Sequence, residues 1–73
     1  MRIQISKLSS QGDTLMATVE GDKVRPAIEE LLRMPRHFVA IENNIVHTID
    51  EAMLHLEGME EGHVLVGQQV AGG

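Results

Sequence analysis

At 73 residues the chain is one domain, near the size at which a single hydrophobic core is marginal without a metal, disulfides or a partner, and it has no room for an enclosed active site. It contains no cysteine, which excludes disulfide frameworks, thiolate metal sites and cysteine nucleophiles. Its formal charge of −5 and its single aromatic residue, Phe38, argue against nucleic acid, which needs a basic surface and stacking platforms.

With 42% hydrophobic and 23% charged residues the composition is that of a folded domain rather than a disordered segment. No apolar run is long enough for a transmembrane helix, and residues 1–5 alternate where a signal peptide would be continuously apolar. The expectation is a soluble cytoplasmic protein with no membrane association.

Met1, Ile3 and Ile5 alternate with Arg2, Gln4 and Ser6, the period of a half-buried strand. After the turn-rich Ser9-Ser10-Gln11-Gly12-Asp13, Leu15, Ala17 and Val19 alternate with Thr14, Met16 and Thr18, which predicts a β-hairpin with Met16 and Thr18 on its outward face. From Val24 the period lengthens. Val24, Ala27, Ile28, Leu31 and Leu32 form one apolar stripe of a helix, with Asp22 as its expected cap and Pro26 in its first turn. Pro35 places the helix end near Met34.

The apolar run His37-Phe38-Val39-Ala40-Ile41-Glu42 predicts a strand, Asn43-Asn44 a two-residue turn, and Ile45-Val46-His47 the return arm. Thr48 and Glu51 form a capping box for a short helix through Ile49, Ala52, Met53 and Leu56, with Gly58 as its stop. Past Glu60-Glu61-Gly62, the run His63-Val64-Leu65-Val66 has the character of a strand buried on both faces, which belongs in the middle of a sheet. The predicted class is α+β: a mixed four- to five-stranded sheet with one main helix on one face and a short second helix. Residues 1–69 form the domain and residues 70–73 a mobile tail.

That tail, Val70-Ala71-Gly72-Gly73, offers a main-chain carboxylate on a stalk with no side chain at its last two positions. On its own a terminal glycine pair reads first as a frayed end. Its setting changes that reading. A hairpin, a helix across it and a last strand beside the first is the β-grasp arrangement of ubiquitin and its relatives. Residues 38–46 resemble the "AINxxIV" stretch of the bacterial sulfur carrier proteins of thiamine synthesis, and residues 60–66 with 70–73 resemble their "DGDxVxxx…VAGG" end. The small subunit of molybdopterin synthase ends similarly. The likeness covers the second half of the chain; His63 stands where an acid is common, and Gln68-Gln69 where apolar or aromatic residues are common.

The resemblance implies a carrier rather than an enzyme, with no catalytic residue and no bound cofactor of its own. An E1-like adenylyltransferase, using ATP and a metal ion, would adenylate Gly73, and sulfur would replace AMP to leave a thiocarboxylate. A sulfur-accepting enzyme of the thiazole synthase or molybdopterin synthase large-subunit type would then take the sulfur, the thiamine type being favoured by the length of chain between Val46 and the tail. Val70, Ala71 and Gly72 would be recognised in the activating channel, and Met16, Thr18 and Ile45 would form a partner surface.

Two other readings stand beside this one. The chain is a ubiquitin-like modifier joined through Gly73 to target lysines, with Lys7 and Lys23 as internal linkage sites, or it is an interaction domain with an inert tail. His37, His47, His55 and His63 lie on different predicted elements and lack the spacing of three or four that places two ligands on one helix face, so no metal site is expected. Glu57, Glu60 and Glu61 read as a solvated turn.

Overall fold

The computed structural model describes residues 1–69; Val70, Ala71, Gly72 and Gly73, on which the carrier reading depends, lie outside the described residues. In chain order the elements are β1 (Arg2–Ser9), β2 (Gly12–Glu20), a 3-10 turn (Gly21–Lys23), α1 (Val24–Arg33), β3 (His37–Ile41), β4 (Asn44–Val46), α2 (Ile49–Leu56) and β5 (Glu61–Gln68). They form one five-stranded sheet in the order β2-β1-β5-β3-β4. β5 runs parallel to β1, and the other pairings are antiparallel. A parallel neighbour needs a long connection, and here everything from β2 to α2 lies between β1 and β5. The architecture is α+β and β-grasp-like.

Both helices pack on one face of the sheet. Val24, Ile28 and Leu31 of α1 and Ala52 and Leu56 of α2 are buried against Ile3, Ile5, Val39, Ile41, Val46, Val64 and Val66. The helices cover the central strand on that face alone. Val64 and Val66 are fully buried, while His63 is exposed and Leu65 half-buried on the other, which corrects the expectation of burial on both faces. Among the described residues no helix is long and apolar enough to cross a membrane.

The helices begin by different devices. Asp22 does not cap α1: it sits inside the 3-10 turn, and the N-cap, Lys23, has helical geometry and no side-chain cap bond. Pro26 lies in the first turn of α1, where its missing N–H costs nothing. α2 opens on the expected box, with Thr48 Oγ1 accepting from the Glu51 N–H at 3.1 Å. The Glu51 carboxylate takes the His47 N–H at 2.7 Å, one residue before the cap. Thr48→Ala is expected to destabilise the domain by about 1 kcal/mol, read as a lower urea midpoint with an unchanged slope. Gly58, at φ 80°, ends the helix as a left-handed residue.

The β3–β4 turn falls one residue earlier than expected. Its central residues are Glu42 and Asn43, both at positive φ (49° and 69°), and Asn44 already pairs with Ile41. A glutamate is strained there, and β5 holds it in place. The Glu42 N–H donates to the His63 carbonyl at 3.1 Å, and the His63 N–H donates to Glu42 Oε1 at 2.9 Å.

Candidate functional site

The sheet face away from the helices is open, and its chemistry changes along β5. Cross-strand register places Ile45, Ala40, Leu65, Ser6 and Leu15 in one row spanning all five strands. Leu15 and Ile45, at its two ends, are each 58% exposed. Toward the end of β5 the row is bordered by Leu8 and by Phe38, which pairs with Gly67. A Cβ built on Gly67 would lie 2.5 Å from Phe38 Cε1 and Cζ, so the ring covers Gly67 and accounts for its burial on an otherwise open face.

Toward the start of β5 the same face turns polar. Arg2, Gln4, Glu42, Glu61 and His63 line a hollow of about 240 Å³ there. Arg2 Nε pairs with Glu20 at 3.0 Å. Ser6, which is 5% exposed, meets His63 Nε2 through its hydroxyl at 3.2 Å, so its burial leaves no polar atom unpartnered. The apolar half of the face thus borders the point where the chain leaves the sheet. There the Gln69 N–H donates to the Arg36 carbonyl at 2.7 Å, and Arg36 itself is left-handed at φ 61°.

Thr18 and Ile45 lie on this open face, Thr18 opposite Gln4 and Ile45 opposite Ala40. They do not come together. β2 and β4 are opposite edges of the sheet, four strand spacings or about 19 Å apart. Met16 is not on the open face. Between Ile5 and Ser6 the register with β2 slips, so that Ile5 faces Ala17 while Ser6 faces Leu15, and Met16 is the extra residue of a β-bulge. The bulge turns Leu15 outward and brings Met16 to the wall of a hollow beside α1. Leu15, Leu65, Leu8 and Phe38 are therefore the apolar residues that sequence reasoning left out. The periodicity of β5 would have found Leu65.

Gly73, Val70, Ala71 and Gly72 lie outside the described residues, so their placement adds nothing to the site. Lys7 and Lys23 are exposed. His37 Nδ1 lies 2.8 Å from the Pro35 carbonyl, and His47 Nδ1 lies 3.6 Å from Glu51. Among the described residues no group of three or more potential ligands is placed to hold a metal ion. No family model, no curated protein and no solved structure matches the chain.

Proposed function

We propose that the protein is a sulfur carrier whose Gly73 carboxylate is activated and thiolated by partner enzymes. The observation that carries the reading is that in sequence Val70-Ala71-Gly72-Gly73 follows, after Gln69, the central strand of a β-grasp-like fold whose open sheet face is apolar toward that strand's end. That face is the docking handle, and the glycine pair fits a channel too narrow for a Cβ.

A carboxylate is a poor electrophile because its charge is delocalised and it lacks a leaving group. In the proposed sequence a Gly73 carboxylate oxygen attacks the α-phosphorus of ATP in an E1-like adenylyltransferase, and pyrophosphate leaves. A persulfide sulfur then attacks the acyl carbon and AMP leaves with the bonding pair. A thiol reductant cleaves the resulting S–S bond, releasing the thiocarboxylate. The sulfur acceptor is a cytoplasmic biosynthetic enzyme, of the thiazole synthase type before the molybdopterin synthase type. Within this chain, residues 1–69 bind and orient, and none takes part in proton transfer or bond cleavage.

The test is ATP–pyrophosphate exchange in an E1-like adenylyltransferase of the thiamine pathway. Full-length protein is expected to support exchange, and a chain truncated after Ala71 is expected to give none. Equal exchange with both would refute the reading. Lysate conjugates that disappear on the same truncation, without exchange-dependent thiocarboxylate, would favour a protein modifier.

A further inference from the structure

Among the described residues three that are not glycine are left-handed: Glu42 and Asn43 in the β3–β4 turn, and Arg36, at φ 61°, between α1 and β3. That conformation is unfavourable for an L-residue and persists only where the surroundings hold it. Glu42 is held by its two bonds with His63. Arg36 is held for a different reason. Its side chain is exposed and makes no ion pair among the described residues, so the guanidinium does not account for the backbone. Its carbonyl does: it accepts from the Gln69 N–H at 2.7 Å, the shortest main-chain bond outside the helices and strands among the described residues.

The turn that presents this carbonyl is braced. Pro35 has a fixed φ, and before it the Met34 N–H donates to the Leu31 carbonyl at 3.2 Å, at the end of α1. After it, His37 Nδ1 lies 2.8 Å from the Pro35 carbonyl, which can only accept, so Nδ1 carries the proton.

Gln69 stands one residue beyond β5. β1 pairs with β5 as far as Val66, and β3 as far as Gln68. Antiparallel pairs are bonded alternately, so with Gln69 bonded to Arg36 the bonded pair before it is Gly67 with Phe38. Opening the Arg36–Gln69 bond would move the last tie back to Gly67. The stretch after the tie would lengthen from four residues, 70–73, to six, 68–73, and its greatest span from about 14 Å to about 22 Å. We infer that the left-handed turn at Arg36 is a clamp on the root of the tail, and that Arg36 is a positioning residue that sets how far and in what direction the Gly73 carboxylate is presented. The role in activation rests on the carrier reading above. A carboxylate oxygen attacks the α-phosphorus only when held in line with it, and each freed residue lowers the fraction of chains so placed. The clamp therefore acts on turnover, whereas docking belongs to the sheet face.

The clamp is tested first without an enzyme, by hydrogen exchange of the full 15N-labelled chain. The Gln69 amide is expected to exchange on the order of tenfold more slowly than an unstructured amide. Arg36→Val, whose β-branched side chain disfavours positive φ, is expected to abolish that protection, and Arg36→Gly to keep it. A Gln69 amide exchanging at the unstructured rate in the unsubstituted chain would overturn the clamp. Its role in activation is read in ATP–pyrophosphate exchange. Gln69→Pro, which lacks the N–H, and Arg36→Val are each expected to lower kcat on the order of tenfold, with KM for the carrier changed less than about twofold; Arg36→Gly is expected to restore kcat. An unchanged kcat for Gln69→Pro, or a loss confined to KM, would overturn the positioning role and leave the carrier reading standing. No exchange with the unsubstituted chain would remove the carrier reading and the positioning role together, and the Gln69 amide would still decide the clamp.

Discussion

Replacing Ile28 with alanine is expected to destabilise the domain by roughly 3 kcal/mol. Ile28 is 0% exposed and lies in the middle of α1, between Val24 and Leu31, where the helix meets the sheet. Removing its three outer carbons forfeits their transfer from water and leaves a hole that the buried side chains of the sheet, held by its ladder, cannot close. The better helix propensity of alanine returns only about 0.4 kcal/mol. A domain of this length has a total stability of roughly 4–11 kcal/mol, so the variant sits near the threshold of folding. With no tryptophan or tyrosine in the chain, unfolding is followed by far-ultraviolet circular dichroism in urea. Leu54→Ala is the control: Leu54 is 69% exposed on α2, and its loss is expected to change stability by less than about 0.5 kcal/mol.

Gly67→Ala is expected to cost roughly 2 kcal/mol, although alanine suits a strand better than glycine does. The added methyl would occupy space held by the Phe38 ring, 2.5 Å away at two ring atoms. The ring can move only outward, giving up its contact with the sheet. The strain therefore belongs to the pair. In a double-mutant cycle, Phe38→Ala in the Gly67→Ala background is expected to cost about 1 kcal/mol less than Phe38→Ala alone. Additive losses would show that the ring does not cover Gly67. Gly67 lies two residues before Gln69, where the chain is bonded to Arg36 as it leaves the sheet, so in the proposed carrier the substitution would bear on function as well.

The elements governed by local chemistry were legible in the sequence. The three-and-four spacing from Val24 to Leu32, Pro35, the Thr48–Glu51 box and Gly58 delimit both helices, because each acts within a turn of the residue it affects. The run at residues 63–66 marked β5 as the central strand. Features set by distant partners were not legible. The β-bulge at Met16 exchanges the orientations that strict alternation gives to Leu15 and Met16, and it arises from pairing with β1. The turn at Glu42-Asn43 depends on a carboxylate reaching the His63 N–H, 21 residues away in sequence.

The separation of Thr18 from Ile45 follows from strand order, which no local pattern carries. The apolar row across the open face has the same origin. Its members come from all five strands, one residue from each, and only the register assembles them. The tail differs from both groups. Its significance rests on the sequence of residues 70–73 and on the central strand that precedes them.

The carrier reading comes down to the chemistry of one carboxyl group, and intact-mass spectrometry observes that group directly. The protein is incubated with an E1-like adenylyltransferase, ATP, magnesium, a persulfide donor and a thiol reductant, then weighed whole and again after digestion. The reading predicts a mass gain equal to the exchange of one oxygen for one sulfur, located on the C-terminal peptide ending in Gly73 and absent when ATP is omitted. An unchanged mass, with neither adenylate nor thiocarboxylate on that peptide, would contradict it.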